Sequence, residues 1–169
     1  MIHIFLKAVF KFYYLWPQMF DSKTLYTYFE ILIFMGKAIL VHRGIDNEDA
    51  RRSITTVMNG DLENFVGRQV KVLSMKQTGF LGGPNGHFHD DYAELWYVLN
   101  GRAIFEFDDK DGTETYKFDM ICGNRVYIPP QVAHRVLAYD GCNLLGVTEK
   151  VYVNGALNDQ PFNFGPWKD

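Results

Sequence analysis

The segment GHFHDDYAELWYVLNG, residues 86–101, places two histidines two residues apart and a carboxylate five residues further on. His87 and His89 fall on one side of an extended chain, because side chains two apart in a strand share a face. Glu94 is an odd number of residues from both, so a straight strand would turn it away. Asp90, Asp91 and Tyr92 form the expected turn or bulge, which resets the phase and brings Glu94 back to the same side from the next strand. Trp96 and Val98 then share the Glu94 face. Two imidazoles and a carboxylate suit a divalent metal ion of the iron, manganese, nickel, copper or zinc type. A fourth candidate donor, His134, lies in YIPPQVAHRVLAY, on a strand just after a proline-stiffened turn.

Positioning such donors needs a rigid scaffold, and the sequence from about residue 69 onward reads as short strands. QVKVLSM, ELWYVL, AIFEF, ETYKF, RVYIP, HRVLAY and NLLGVTEKVYV are rich in β-branched and aromatic residues. In QVKVLSM, Val70 and Val72 alternate with Lys71 between them. GGPNG, LNGR, DDKDG, CGN, IPPQ and YDGCN supply turns between the runs. Regular short strands indicate an all-β sandwich or small barrel. DNEDARRSITTVMNGD fits either a helical turn or a strand. DDKDG reads as a solvated hairpin rather than a calcium loop.

A chain of 169 residues suits one domain. Apolar residues make up 47% and charged residues 22%, as in ordinary globular proteins. A net charge of −3 gives no electrostatic footprint for nucleic acid. Cys122 and Cys142 form no CxxC pair and are expected as buried, reduced, structural thiols, which points to the cytoplasm. Residues 1–34 are aromatic-rich. Lys7, Lys11, Pro17, Asp21 and Lys23 interrupt every window long enough for a membrane span. The segment also lacks the positive start and small-residue cleavage site of a signal peptide. It reads as an interface-covering extension, a membrane-surface segment or, in preference, sequence ahead of a natural start at Met35. The domain is then 35–169.

The spacing HxHx4Ex6G, filled by His87, His89, Glu94 and Gly101, resembles the first motif of the cupins. Gly123, Pro129 and His134 are similar to the second, Gx5PxGx2Hx3N. The motifs fall at 82–101 and 123–138. Three positions depart from the pattern: the leading glycine is displaced to Gly82, Gln131 replaces an inner glycine, and Ala138 replaces the terminal asparagine. None of these is a metal ligand, although the turn at Gln131 is open to a different shape. The resemblance covers about residues 65–150. It implies a double-stranded β-helix, a jelly-roll-like barrel of two antiparallel sheets with His87, His89, Glu94 and His134 holding one divalent metal ion inside. Homodimers are common in such folds.

Cupins run many chemistries, so the resemblance says little about the reaction. Some keep the histidines without metal as general acid and base, but the presence of Glu94 favours a metal. Trp96, Phe105 and Tyr127 are candidates to line a substrate pocket, with core packing the default for Phe105 and Trp96. Arg102, Arg125 and Arg135 read as surface charges rather than anion clamps. A loose similarity to cupins of polysaccharide biosynthesis implies a sugar or nucleotide-sugar isomerase or epimerase acting on a small molecule. An iron-type dioxygenase or other oxidoreductase, or a non-enzymatic binding cupin, are the alternatives.

Overall fold

The computed structural model describes residues 36–62, 64–109, 114–152 and 159–168. The aromatic-rich run 1–34 and the turn of DDKDG lie outside the described residues. Every regular element described is a strand. In chain order these are β1 (Ile39–His42), β2 (Asn47–Asp49), β3 (Arg52–Ile54), β4 (Gln69–Ser74), β5 (Gly79–Leu81), β6 (His87–Phe88), β7 (Glu94–Asn100), β8 (Arg102–Asp108), β9 (Thr115–Ile121), β10 (Asn124–Ile128), β11 (Ala133–Ala138), β12 (Asn143–Thr148) and β13 (Gln160–Pro161).

Two antiparallel sheets carry the domain. One has the order β1-β10-β7-β12-β4; the other has β13-β6-β11-β8-β9, with β5 also pairing β11. Inward residues alternate along the strands and meet in one apolar core. Trp96 and Val98 come from β7, Phe105 and Phe107 from β8, Phe118 and Met120 from β9, Val126 and Ile128 from β10, and Val136 from β11. This is the jelly-roll-like barrel of two antiparallel sheets that the cupin resemblance implies, and it falls within the all-β sandwich or small barrel that the strand and turn pattern indicates.

Two stretches left open by the sequence are settled here. DNEDARRSITTVMNGD takes the strand alternative over its first part, as the β2–β3 hairpin with Asn47 opposite Ile54. In β4, the valines face out: Val70 is 64% and Val72 60% exposed. Lys71 is opposite Gly146, and Gly146 is opposite Trp96, so Lys71 faces inward with the core tryptophan. The Lys71 ammonium lies 5.4 Å from the Trp96 ring, where a cation over an aromatic face is attracted to it.

Arg125 and Arg135 are not surface charges; both are buried. Arg125 donates to both carboxylate oxygens of Asp61, at 3.1 and 2.6 Å, and fastens the 57–61 segment onto the outer face of the first sheet. Arg135 does the equivalent on the second sheet, described below. Arg102 is paired with Asp119 at the surface. Both cysteines are free, but Cys122 is exposed and only Cys142 is buried.

Candidate functional site

β6 ends at Phe88, and the chain bends through residues 90–93 before β7 starts at Glu94. This is the phase reset that the odd spacing demands. His134 on β11 is opposite His87 on β6, so three imidazoles converge. The ring centres of His87 and His134 are 4.5 Å apart, those of His87 and His89 4.9 Å, and those of His89 and His134 5.3 Å. The facing sheet contributes Glu94. Its Oε2 is 3.4 Å from Nε2 of both His89 and His134 and accepts a 3.0 Å hydrogen bond from Trp96 Nε1. Trp96 reaches it by lying flat over Gly146, where a Cβ would come within 2.7 Å of the indole.

The electrostatics follow from burial and crowding. Burial alone would raise the Glu94 carboxyl, but His134 and His89 outweigh it and hold it well below the usual carboxylate range. Burial, and then the charges of His134 and His89, bring the His87 pKa down to about 4, so His87 is neutral at ordinary pH. His134 Nδ1 donates to the Val132 carbonyl at 3.1 Å, which orients the ring with Nε2 toward Glu94. A ring nitrogen 3.4 Å from a carboxylate oxygen needs a proton or a cation between them. Both ring nitrogens of His89 are also buried without a completed hydrogen bond.

These features fit a divalent ion. One nitrogen from each of His87, His89 and His134 lies within 4.8 Å of the others, and backbone anchoring of the far ring nitrogen is the usual support of a ligating histidine.

Two residues not singled out in the sequence join the cluster. Tyr92 stacks on His89, with ring centres 4.2 Å apart. Asp159 Oδ1 lies 3.3 Å from His89 Nδ1 and 3.4 Å from the Tyr92 hydroxyl. Burial, then the negative charges of Glu94 and Asp159, push the Tyr92 phenol well above its ordinary value. Tyr92 also walls an outer cleft of about 700 Å³ lined by Arg68, Glu149 and Lys150.

The candidate pocket residues separate. Trp96 adjoins the cluster through Glu94. Phe105 is wholly buried in the aromatic core, its ring centre 6.1 Å from that of Phe107 and 6.5 Å from that of Trp96. Tyr127 is not brought to the histidines. Val126 and Ile128 take the inward positions of β10, and strand alternation turns Tyr127 outward to pack edge-on against Phe65. The tyrosine beside the histidines is Tyr92.

No protein-family model and no curated protein sequence matches the chain. Solved structures do. The sugar 3,4-ketoisomerase QdtA from Thermoanaerobacterium thermosaccharolyticum, in complex with TDP, matches with a TM-score of 0.57 at 18% identity, over 69% of this chain and 82% of that one. The TDP-quinovose 3,4-ketoisomerase WlaRB from Campylobacter jejuni gives 0.60 at 14% identity, over 75% and 92%. The chain has the cupin fold. A further match in fold is ChmJ, a 3′-monoepimerase from Streptomyces bikiniensis in complex with dTDP-quinovose, with a TM-score of 0.60 at 15% identity over 69% and 65%. Among the described residues of this cupin barrel, no helix is long and apolar enough to cross a membrane.

Proposed function

We propose that this cupin isomerises or epimerises a nucleotide-linked keto sugar. The observation that carries the reading is the buried cluster of His87, His89 and His134 around Glu94, with Tyr92 and Asp159 at its rim. It is a set of proton carriers inside a fold that otherwise presents an apolar core. The match to three sugar-nucleotide isomerases and epimerases supports the substrate class.

The chemistry required is removal of a proton from the carbon beside a carbonyl and its return to a neighbouring atom or to the opposite face. His87 is neutral and has a lone pair to take that proton. Tyr92 keeps its phenolic proton and can donate a hydrogen bond to the developing oxyanion. In a 3,4-keto exchange, the proton leaves C3 and returns at C4, while the hydroxyl proton passes from O3 to O4, so nothing is oxidised overall. Trp96 is set beside the cluster by its bond to Glu94, with the Lys71 ammonium over its ring. Arg68 in the outer cleft offers a cation to the diphosphate of a nucleotide, beside Lys150, which is paired with Asp91. In place of that base chemistry, His87, His89, His134 and Glu94 would hold a divalent ion, which would polarise the substrate carbonyl; His87 would then be a ligand and not the base. The working form in this reading is a cytoplasmic homodimer.

Incubation with TDP-4-keto-6-deoxyglucose in heavy water tests it. Exchange of a carbon-bound hydrogen for deuterium, without oxygen uptake, is expected. Oxygen consumption with turnover and no exchange would replace the reading with an iron-type dioxygenase. Binding with neither exchange nor oxygen uptake would leave a non-enzymatic binding protein.

A further inference from the structure

The tail after β12 returns to the barrel as a strap, Asp159–Lys168, and its anchoring is disproportionate for a surface tail. β13 pairs with β6, placing Gln160 opposite Phe88 and Pro161 opposite His87. Phe162 N donates to Gly86 O at 3.2 Å and Phe164 N to Asn85 O at 3.3 Å. Phe164 lies against Gly86, where a Cβ would come within 2.7 Å of its ring and 2.8 Å of His134 O. Gly86 also has a φ of 80°, so a side chain there is excluded twice, by the ring and by the backbone.

One buried side chain holds the far end. Arg135 Nη1 donates to Gly165 O at 2.8 Å and to Pro84 O at 2.7 Å, and Nε donates to Glu106 Oε2 at 2.5 Å. Its guanidinium carbon is 5.0 Å from the ring centres of both Phe164 and Trp167. Lys117 adds a second cation, 3.8 Å from the Trp167 ring centre. Arg135 is the chain neighbour of His134. Strand alternation sends one into the site and the other onto the outer face, where the strap runs. The strap begins at Asp159, whose carboxylate faces His89 Nδ1 at 3.3 Å.

We infer that the strap is a working part of the site, and that Arg135 is a positioning residue which, by clamping the strap at Gly165, Phe164 and Trp167, holds Asp159 against His89. A carboxylate at Nδ1 fixes the ring orientation and directs Nε2 to the centre, toward Glu94. The 3.3 Å separation is long for a finished hydrogen bond, as catalytic hydrogen bonds often are before substrate binds. The inference rests on the reading of the histidine cluster as the reacting centre.

The test uses the full chain with Asp159→Asn, Arg135→Met, Trp167→Ala and the double variant Arg135→Met/Asp159→Asn. Two readouts are taken: deuterium exchange into TDP-4-keto-6-deoxyglucose, and the proton resonance of the His89 Nδ1–H, assigned by its loss in His89→Gln. Loss of exchange by roughly 10–100-fold is expected in each single variant, together with loss of that resonance, while the amide signals of β7 and β12 are unchanged. The double variant should be no worse than Asp159→Asn within about twofold, because Arg135 acts only through Asp159. Losses that multiply in the double variant would overturn the inference. So would survival of both the resonance and exchange in Arg135→Met. Should Arg135→Met fail to fold, Trp167→Ala decides, since it loosens the strap without opening the Arg135–Glu106 pair. If the wild type shows no exchange at all, it is the proposed function that fails. The resonance then judges the strap alone: its loss in Arg135→Met or Trp167→Ala supports the clamp, and its retention in both removes it.

Discussion

Gln131 shows how one side chain can replace the glycine that a turn requires. It stands at the inner glycine of the second cupin motif, with a φ of 68°. A residue with a Cβ pays roughly 1–2 kcal/mol for that left-handed conformation. Two hydrogen bonds offset the cost: Gln131 N donates to His89 O at 2.7 Å, and Nε2 donates to Asp90 O at 3.1 Å. They tie the turn before His134 to the end of the HxH strand. Gln131→Ala keeps the strain and loses the side-chain bond, so a stability loss of about 1 kcal/mol is expected. Gln131→Gly loses the same bond but relieves the strain, less the ~0.4–1 kcal/mol that glycine adds to unfolded-chain entropy. It should therefore lie closer to wild type in urea unfolding; an alanine variant more stable than the glycine variant would contradict the strain. The metal reading has its own test at this scale. Protein stripped with chelator and reloaded with zinc should take up about one ion per chain, and His134→Ala should take up none by elemental analysis. Wild type that stays metal-free would leave the histidines as acid and base alone. His87, His89 and Glu94 were legible because short-range spacing and strand phase bring them together, and His134 only through its place in the second cupin motif. Asp159 and Tyr92 were not. Asp159 comes from a tail remote in sequence, and Tyr92 occupies the turn that resets the phase, where no periodicity assigns a direction.

Strands alternate reliably, but alternation alone does not say which face is inside. β4 illustrates the ambiguity: Val70 and Val72 look like the core face, yet Gln69, Lys71 and Leu73 point inward. As an edge strand, β4 is bordered on one side by β12 alone, and its outer valines stay uncovered while Lys71 stretches over Trp96. The segment between β3 and β4 is fixed instead by a buried ion pair. Asp61 meets Arg125 through two hydrogen bonds, Arg125 Nη1 also donates to Val57 O at 2.8 Å, and Phe65 packs edge-on against Tyr127. Removing one partner of such a pair strands a buried charge, so Asp61→Ala should cost about 3 kcal/mol in urea unfolding. Burial works to raise the Asp61 carboxyl, but Arg125, through its hydrogen bonds and charge, outweighs it and keeps the carboxyl below its ordinary value. The sign of the pH dependence follows. The pair contributes fully above the ordinary aspartate value of 3.8 and is lost as pH falls from there through the lower folded value. Asp61→Ala should flatten that part of the acid-unfolding curve. A variant that unfolds like wild type at both neutral and acid pH would show that the segment is held by packing alone.

At the scale of the molecule, the first described residues are already tied into the barrel. Lys37 Nζ pairs with Glu114 at 2.9 Å, and Ala38 N donates to the Tyr116 hydroxyl at 3.0 Å. Ala38 and Ile39 are buried, and β1 pairs along its length with β10. Among the described residues, all of these contacts and every strand of both sheets fall after Met35. The expectation is that a chain beginning at Met35 keeps the core, the cluster around Glu94 and the strap. Removal of residues 1–34 is expected to leave a soluble barrel whose midpoint of thermal unfolding differs from that of the full chain by less than about 3 °C, a change worth roughly 1 kcal/mol for a domain of this size. Zinc uptake per chain should be unchanged, and both forms should sediment as two copies. If the shortened chain becomes insoluble while the full chain is soluble, residues 1–34 cover apolar surface that the barrel exposes, and the domain is larger than 35–169. If only the sedimentation changes, from two copies to one, the fold boundary stands and the segment belongs to the dimer contact.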